Sequence, residues 1–236
     1  MTLRPLWLNS KLDEINDWHP FSDDLQRFIS DRQTGPVIGM GHSIGGIVTL
    51  RAALRDPSKF RALVLLDPVL FVPSYLVMWN LVRSIGLGNK LHPKIAGAMK
   101  RRRSFDNLDM VFRGYRSRDV FRYMSDENLR TYLEGITIQK PDGSFELVYS
   151  PEWESHIYLT GLRDYDLWNG LSKLEIPTLI IRGAETDTFL EKAAKLVKQK
   201  QPKVKIETLE KSTHILPLER PQEVFDIMQS FLKEVL

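Results

Sequence analysis

The chain has 236 residues, 42% of them hydrophobic and 27% charged, with 14 Gly and 13 Pro, a balance that excludes fibrous and disordered classes. Its 33 basic and 30 acidic side chains leave a formal charge of +3, too even for a surface that binds nucleic acid as a whole. The absence of cysteine excludes disulfide scaffolds and cysteine nucleophiles, and no run reaches the roughly 18–20 apolar residues of a membrane span. The expectation is a soluble, cytoplasmic protein with no nucleic-acid partner.

Strand-like and helical patterns alternate at both ends of the chain, which predicts an α/β fold with a mainly parallel sheet covered by helices. Phe21, Leu25, Phe28 and Ile29 share one helical face. Residues 36–40 then read as a buried strand, Gly45 to Leu54 as a helix stopped before Pro57, and Phe60 to Leu66 as a second strand. The same grammar returns in a strand over Pro177–Arg182, a helix over Phe189–Lys200 and a strand over Val204–Leu209. After Pro221, the residues Val224, Ile227, Met228, Phe231, Leu232 and Val235 form the stripe of a last helix.

Residues 71–166 break this pattern with irregular, aromatic-rich helical stretches and read as an insertion between core segments 1–70 and 167–236. Asp142-Gly143 between two apolar runs predicts a small hairpin within it. Residues 94–122 carry nine basic and three acidic side chains. A solvated helical face is the preferred reading of this stretch, over an anion-binding or membrane-attracting surface.

The chemistry-bearing segment is Gly41-His42-Ser43-Ile44-Gly45-Gly46, which follows a buried strand and opens a helix. That is the context of a nucleophile elbow, in which Gly41 and Gly45 leave room for a strained turn that presents the Ser43 hydroxyl. The helix start would place the Ile44 amide where an oxyanion develops. By itself the pattern also fits a helix-capping loop.

A serine nucleophile needs a base, and the base an acid that orients it. Of the five histidines, His214 alone lies in a loop after the last strand. For the acid, Asp187 follows a buried strand at the carboxyl edge and is the preferred candidate, with Glu185 a substitute. Asp67, at the end of the strand after the elbow helix, is the rival acid. No metal cluster or dinucleotide fingerprint is visible, and no cofactor is expected.

These residues resemble the α/β-hydrolase fold family, specifically its small serine hydrolases with a cap domain inserted after the sixth strand. The resemblance rests on Gly41 to Gly46, on the segment from Ile176 to Gly183 with Asp187, and on His214 followed by Glu219-Arg220-Pro221. The order Ser43, Asp187, His214 matches the family's order. The resemblance implies cleavage of a small ester-like substrate through an acyl-enzyme, with Ser43 attacking, His214 moving the proton and Asp187 orienting the imidazolium.

Two departures qualify this expectation. Four strands and a helix ahead of the elbow strand would need roughly 50 to 60 residues, whereas 42 precede Ser43. Residues 1–34 also contain no glycine, so a His-Gly type oxyanion loop is missing. The chain therefore reads as beginning partway through the fold, with the elbow strand as an open edge suited to self-association. The alternative function is a non-catalytic member acting through its cap or that edge.

Overall fold

The computed structural model describes residues 1–32 and 35–236. The first elements are α1 (His19–Arg32), β1 (Val37–His42), α2 (Ile44–Arg55) and β2 (Phe60–Leu66). A long segment follows, with α3 (Pro73–Ser84), α4 (Gly88–Leu91), α5 (Pro93–Met99), β3 (Ser104–Phe105), α6 (Leu108–Arg116), α7 (Asp126–Ile136), β4 (Thr137–Gln139), β5 (Phe145–Leu147), α8 (Pro151–Thr160) and α9 (Tyr165–Gly170). Then come β6 (Thr178–Gly183), α10 (Glu191–Lys200), β7 (Lys205–Leu209), α11 (Leu216–Glu219) and α12 (Pro221–Val235).

Strands β1, β2, β6 and β7 form one parallel sheet in that order, with Met40 opposite Val64, Val64 opposite Leu179 and Ile180 opposite Ile206. A parallel sheet is covered on both faces, so its inner strands are near-continuous apolar runs. Accordingly every residue of β6 is buried, and in β2 all but Arg61. On one face Phe21 and Ile29 of α1 and Ile47 and Leu50 of α2 pack with Leu63, Leu65 and Ile180. On the other, Val224 and Phe231 of α12 meet Ala62, Val64, Leu179 and Ile181. Among the described residues β1 pairs with β2 alone, and its Met40 is half exposed.

The segment between β2 and β6 gathers Val111, Tyr115, Phe121, Leu129 and Leu133 into a core of its own. Strands β4 and β5 pair antiparallel around the Asp142-Gly143 turn, where Gly143 adopts a φ of 87° that a side chain would disfavour. The segment is tied to the rest by Trp18, whose indole N–H donates to the Ile157 carbonyl at 3.2 Å, while within it Arg83 donates to the Gly161 carbonyl at 2.6 Å. Its basic stretch is largely ion-paired: Arg101 with Glu154, Arg103 with Glu152, Arg116 with Asp126, and Arg122 with Asp119 and Glu185. No helix among the described residues is long and apolar enough to cross a membrane.

Candidate active site

Because the four strands run parallel, the segments that follow them emerge at one carboxyl edge. Ser43 follows β1, Asp67 follows β2, Thr186 to Thr188 follow β6, and His214 follows β7. Backbone bonds extend the ladder into these turns: the Ser43 amide donates to the Leu66 carbonyl at 3.0 Å, and the Asp67 amide to that of Ile181 at 2.7 Å.

Ser43 sits at φ 58° and ψ −123°, a costly conformation for a residue with a side chain. The tight turn is made feasible by Gly41, where a Cβ would lie 2.2 Å from the Gly45 carbonyl oxygen. At Gly45 a Cβ would meet open space, so the expected steric demand falls on Gly41 and Gly46 instead; a Cβ on Gly46 would come within 2.9 Å of Pro68. Ile44 opens α2, and the first amides of a helix lack an intrahelical acceptor. Its N–H is therefore available to a developing negative charge beside Ser43.

Nε2 of His214 lies 2.8 Å from the Ser43 hydroxyl, and Nδ1 lies 2.7 Å from Oδ2 of Asp67. The carboxylate accepts, so Nδ1 carries the proton and Nε2 offers its lone pair to the serine hydroxyl. Asp67 is wholly buried, and a buried carboxylate needs hydrogen-bond donors. It receives Thr186 at 2.5 Å and Thr188 at 2.6 Å on Oδ2, and the Gly183 amide at 3.1 Å on Oδ1. The φ of 41° at Asp67, tolerated by aspartate more than by most residues, belongs to the turn that presents this carboxylate.

The expected acid, Asp187, does not take this place. Its side chain is 63% exposed and pairs with Lys94 at 2.9 Å, while Glu185 pairs with Arg122 and accepts from the Tyr123 hydroxyl at 2.7 Å. The loop after β6 contributes the hydroxyls of Thr186 and Thr188 to Asp67, so the rival acid is the one that faces His214.

The elbow residue His42, and Glu219 of the segment after the histidine loop, hold His214 in position. His42 donates from Nε2 to the His214 carbonyl at 2.7 Å, its ring 4.9 Å from that of His214. Burial, followed by the proximity of His214, lowers the pKa of His42, which favours the neutral ring with its one proton on Nε2. Glu219 accepts from the Thr213 amide at 2.7 Å and from its hydroxyl at 2.8 Å, fixing the residue before His214. The sequence signal for Glu219 was its position in the Glu-Arg-Pro that follows the histidine loop.

Two cavities meet here. One of about 830 Å³ is lined by Ser43, Ile44 and His214 together with Trp18, Val69, Phe71 and Leu162. The other, about 620 Å³, shares His214 but reaches into the segment between β2 and β6. No cluster of three or more His, Asp or Glu side chains among the described residues is placed to hold a metal ion.

A family model described as the alpha/beta hydrolase family matches residues 9–227. No curated protein matches the chain. Among solved structures it is similar to an E-2-(acetamidomethylene)succinate hydrolase, with 18% identity and a TM-score of 0.71 over 92% of this chain and 74% of that one. It is also similar to a peroxisomal alpha-beta-hydrolase of Saccharomyces cerevisiae, with 16% identity and a TM-score of 0.69 over 92% and 60% of the two chains. An esterase of Mycobacterium tuberculosis gives 19% identity and a TM-score of 0.70 over 92% and 69%. The chain thus spans 60% to 74% of the length of these three structures, and the likeness at such identities is one of fold.

Proposed function

The chain belongs to the alpha/beta hydrolase family, and from that premise we propose that it is a serine hydrolase cleaving a carboxylic ester or similar acyl bond. The observation that carries the reading is His214 bridging the Ser43 hydroxyl and the Asp67 carboxylate at 2.8 and 2.7 Å. In this reading His214 takes the hydroxyl proton as Ser43 Oγ bonds to the acyl carbon, and the Ile44 amide donates to the oxyanion. The proton then passes from Nε2 to the departing oxygen as the acyl bond breaks. Water, deprotonated by the same nitrogen, attacks the acyl-enzyme and releases the acid. Asp67 holds the imidazole in the required tautomer and stabilises its cation. This chemistry needs no cofactor. Residues 71–166 serve as a cap: Lys94, Tyr149 and Tyr158 from this segment line the space above Ser43.

The test uses a fluorophosphonate probe and a short p-nitrophenyl ester. Labelling and turnover that disappear in Ser43→Ala are the expected result. Equal signal in the variant overturns the assignment and leaves the alternative of a non-catalytic family member.

A further inference from the structure

We propose that the site is built for esters that join an apolar acyl group to an uncharged polyhydroxy alcohol, such as glycerol or a sugar. The inference rests on the serine-hydrolase reading and extends it to substrate class.

The division of labour between the two cavities follows from the reaction itself. The acyl carbon becomes bonded to Ser43 Oγ while its oxygen faces the Ile44 amide, so the acyl substituent occupies the cavity walled by both residues. Val69, Phe71, Ile157 and Leu162 also line that cavity, which suits a hydrocarbon group. The departing oxygen must instead approach Nε2 of His214 to receive its proton. The second cavity has His214, Thr213 and Ile215 in its wall but not Ser43, which places the alcohol there.

The wall of that second cavity is polar yet paired in charge. Lys94 is matched by Asp187 at 2.9 Å, Arg101 by Glu154 at 2.7 Å, and Arg122 by Asp119 at 2.6 Å and Glu185 at 2.5 Å. A cationic or anionic alcohol would have to break one of these pairs to find a counter-charge, whereas a neutral one needs only donors and acceptors. Four tyrosines line the same space, Tyr115 and Tyr132 in this cavity alone and Tyr149 and Tyr158 where it meets the first. The Tyr115 hydroxyl is buried, in a residue only 2% exposed, and lacks a hydrogen-bond partner among the described residues. A buried hydroxyl in that state favours a ligand that completes it. Burial pushes Tyr132 up to about 12, so its hydroxyl stays protonated and can both donate and accept. The aromatic faces of the four rings suit the C–H surface of a polyol.

The experiment offers the full chain four hexanoate esters of equal acyl length, monohexanoyl glycerol, hexanoylcholine, hexanoyl glycerol phosphate and hexyl hexanoate, with acid release giving kcat/KM. The glycerol ester is expected to exceed each of the others by about tenfold or more: hexyl hexanoate lacks the hydroxyls that such a site hydrogen-bonds, and the choline and phosphate esters bring a charge for which the paired wall has no free partner. Tyr115→Phe and Tyr132→Phe, which alter the second cavity alone, are expected to narrow that ratio. A preference for the choline or phosphate ester, equal turnover of hexyl hexanoate, or Ser43-dependent turnover of p-nitrophenyl hexanoate with none of the four hydrolysed overturns this inference alone. Absence of any Ser43-dependent labelling or turnover overturns the hydrolase reading with it.

Discussion

Asp67 Oδ2 lies 2.7 Å from Nδ1 of His214, and the strand end that carries this carboxylate is the immediate neighbour of the one that carries Ser43. Ser43 and Asp67, the proposed nucleophile and acid, are thus anchored on paired strands, β1 and β2, while His214, the proposed base, is brought in from β7 at the far edge of the sheet. Asp67→Asn is expected to lower kcat on a p-nitrophenyl ester by about 10²- to 10⁴-fold, because an amide oriented by the same donors no longer holds the imidazole tautomer that leaves Nε2 free. Asp187→Asn breaks one exposed pair with Lys94, and its loss is expected to stay under about fivefold, in keeping with the about 1 kcal/mol at most of a surface ion pair. Parallel kinetics of the two variants decide which carboxylate serves the histidine; the reverse order of losses would reinstate Asp187.

The alternation of apolar strands and striped helices made the parallel sheet legible in the sequence, because periodicity reports burial directly. The positions of Ser43 and His214 at strand ends were legible for the same reason. The choice between Asp67 and Asp187 was not, since it depends on which strand ends are neighbours and on how residues 184–188 turn. The pairing of β2 with β6 places the Gly183 amide and the Thr186 and Thr188 hydroxyls on Asp67 and leaves Asp187 pointing to Lys94. The elbow glycines tell a similar story. The spacing singles out Gly41 and Gly45 equally, while only the folded turn shows that the carbonyl of Gly45 is what a side chain at Gly41 would strike.

That asymmetry gives a second expectation. Gly41→Ala forces a Cβ to within 2.2 Å of backbone, which no rotamer can relieve, so the variant is expected either to fail to fold or to lose several kcal/mol, on the order of the largest single-site effects. Gly45→Ala meets open space and lies in a helix, where alanine is favoured over glycine by about 1 kcal/mol. Urea denaturation of both variants should separate them clearly. Equal destabilisation would mean that the elbow packs differently from the arrangement described.

Arg51 couples α2, the helix that follows Ser43, to the start of α9. It is 1% exposed and donates to Asp164 at 2.5 Å and to Asp166 at 2.7 Å. Arg51→Met keeps much of the volume but strands the buried Asp164 carboxylate, a change expected to remove about 3–5 kcal/mol of stability. Burial already raises the pKa of Asp164 despite the arginine beside it. Without Arg51 the carboxyl takes up a proton more readily in the folded state than in the unfolded chain. The deficit measured by denaturation should therefore shrink as pH is lowered from 7 to 5, and a deficit independent of pH would argue against an uncompensated charge.

His92 offers a second pH signature, one that resides in stability. Its ring is buried beside Trp79, 4.9 Å away, and stacks with Tyr158 at 5.6 Å. Burial, with Lys94 and Arg83 nearby, lowers its pKa from 6.5 to about 4. Between those values the unfolded chain binds the proton and the folded one does not, so stability rises with pH across that range and is lost as pH falls from 6.5 towards 4. Nδ1 of His92 also accepts from the Lys94 amide at 3.2 Å at the start of α5. Asparagine can take over such a cap and carries no titrating group. His92→Asn is therefore expected to show a smaller fall in Tm between pH 6.5 and 4.5 than the parent chain. Identical pH profiles for the two proteins would show that His92 takes up its proton without cost to the fold.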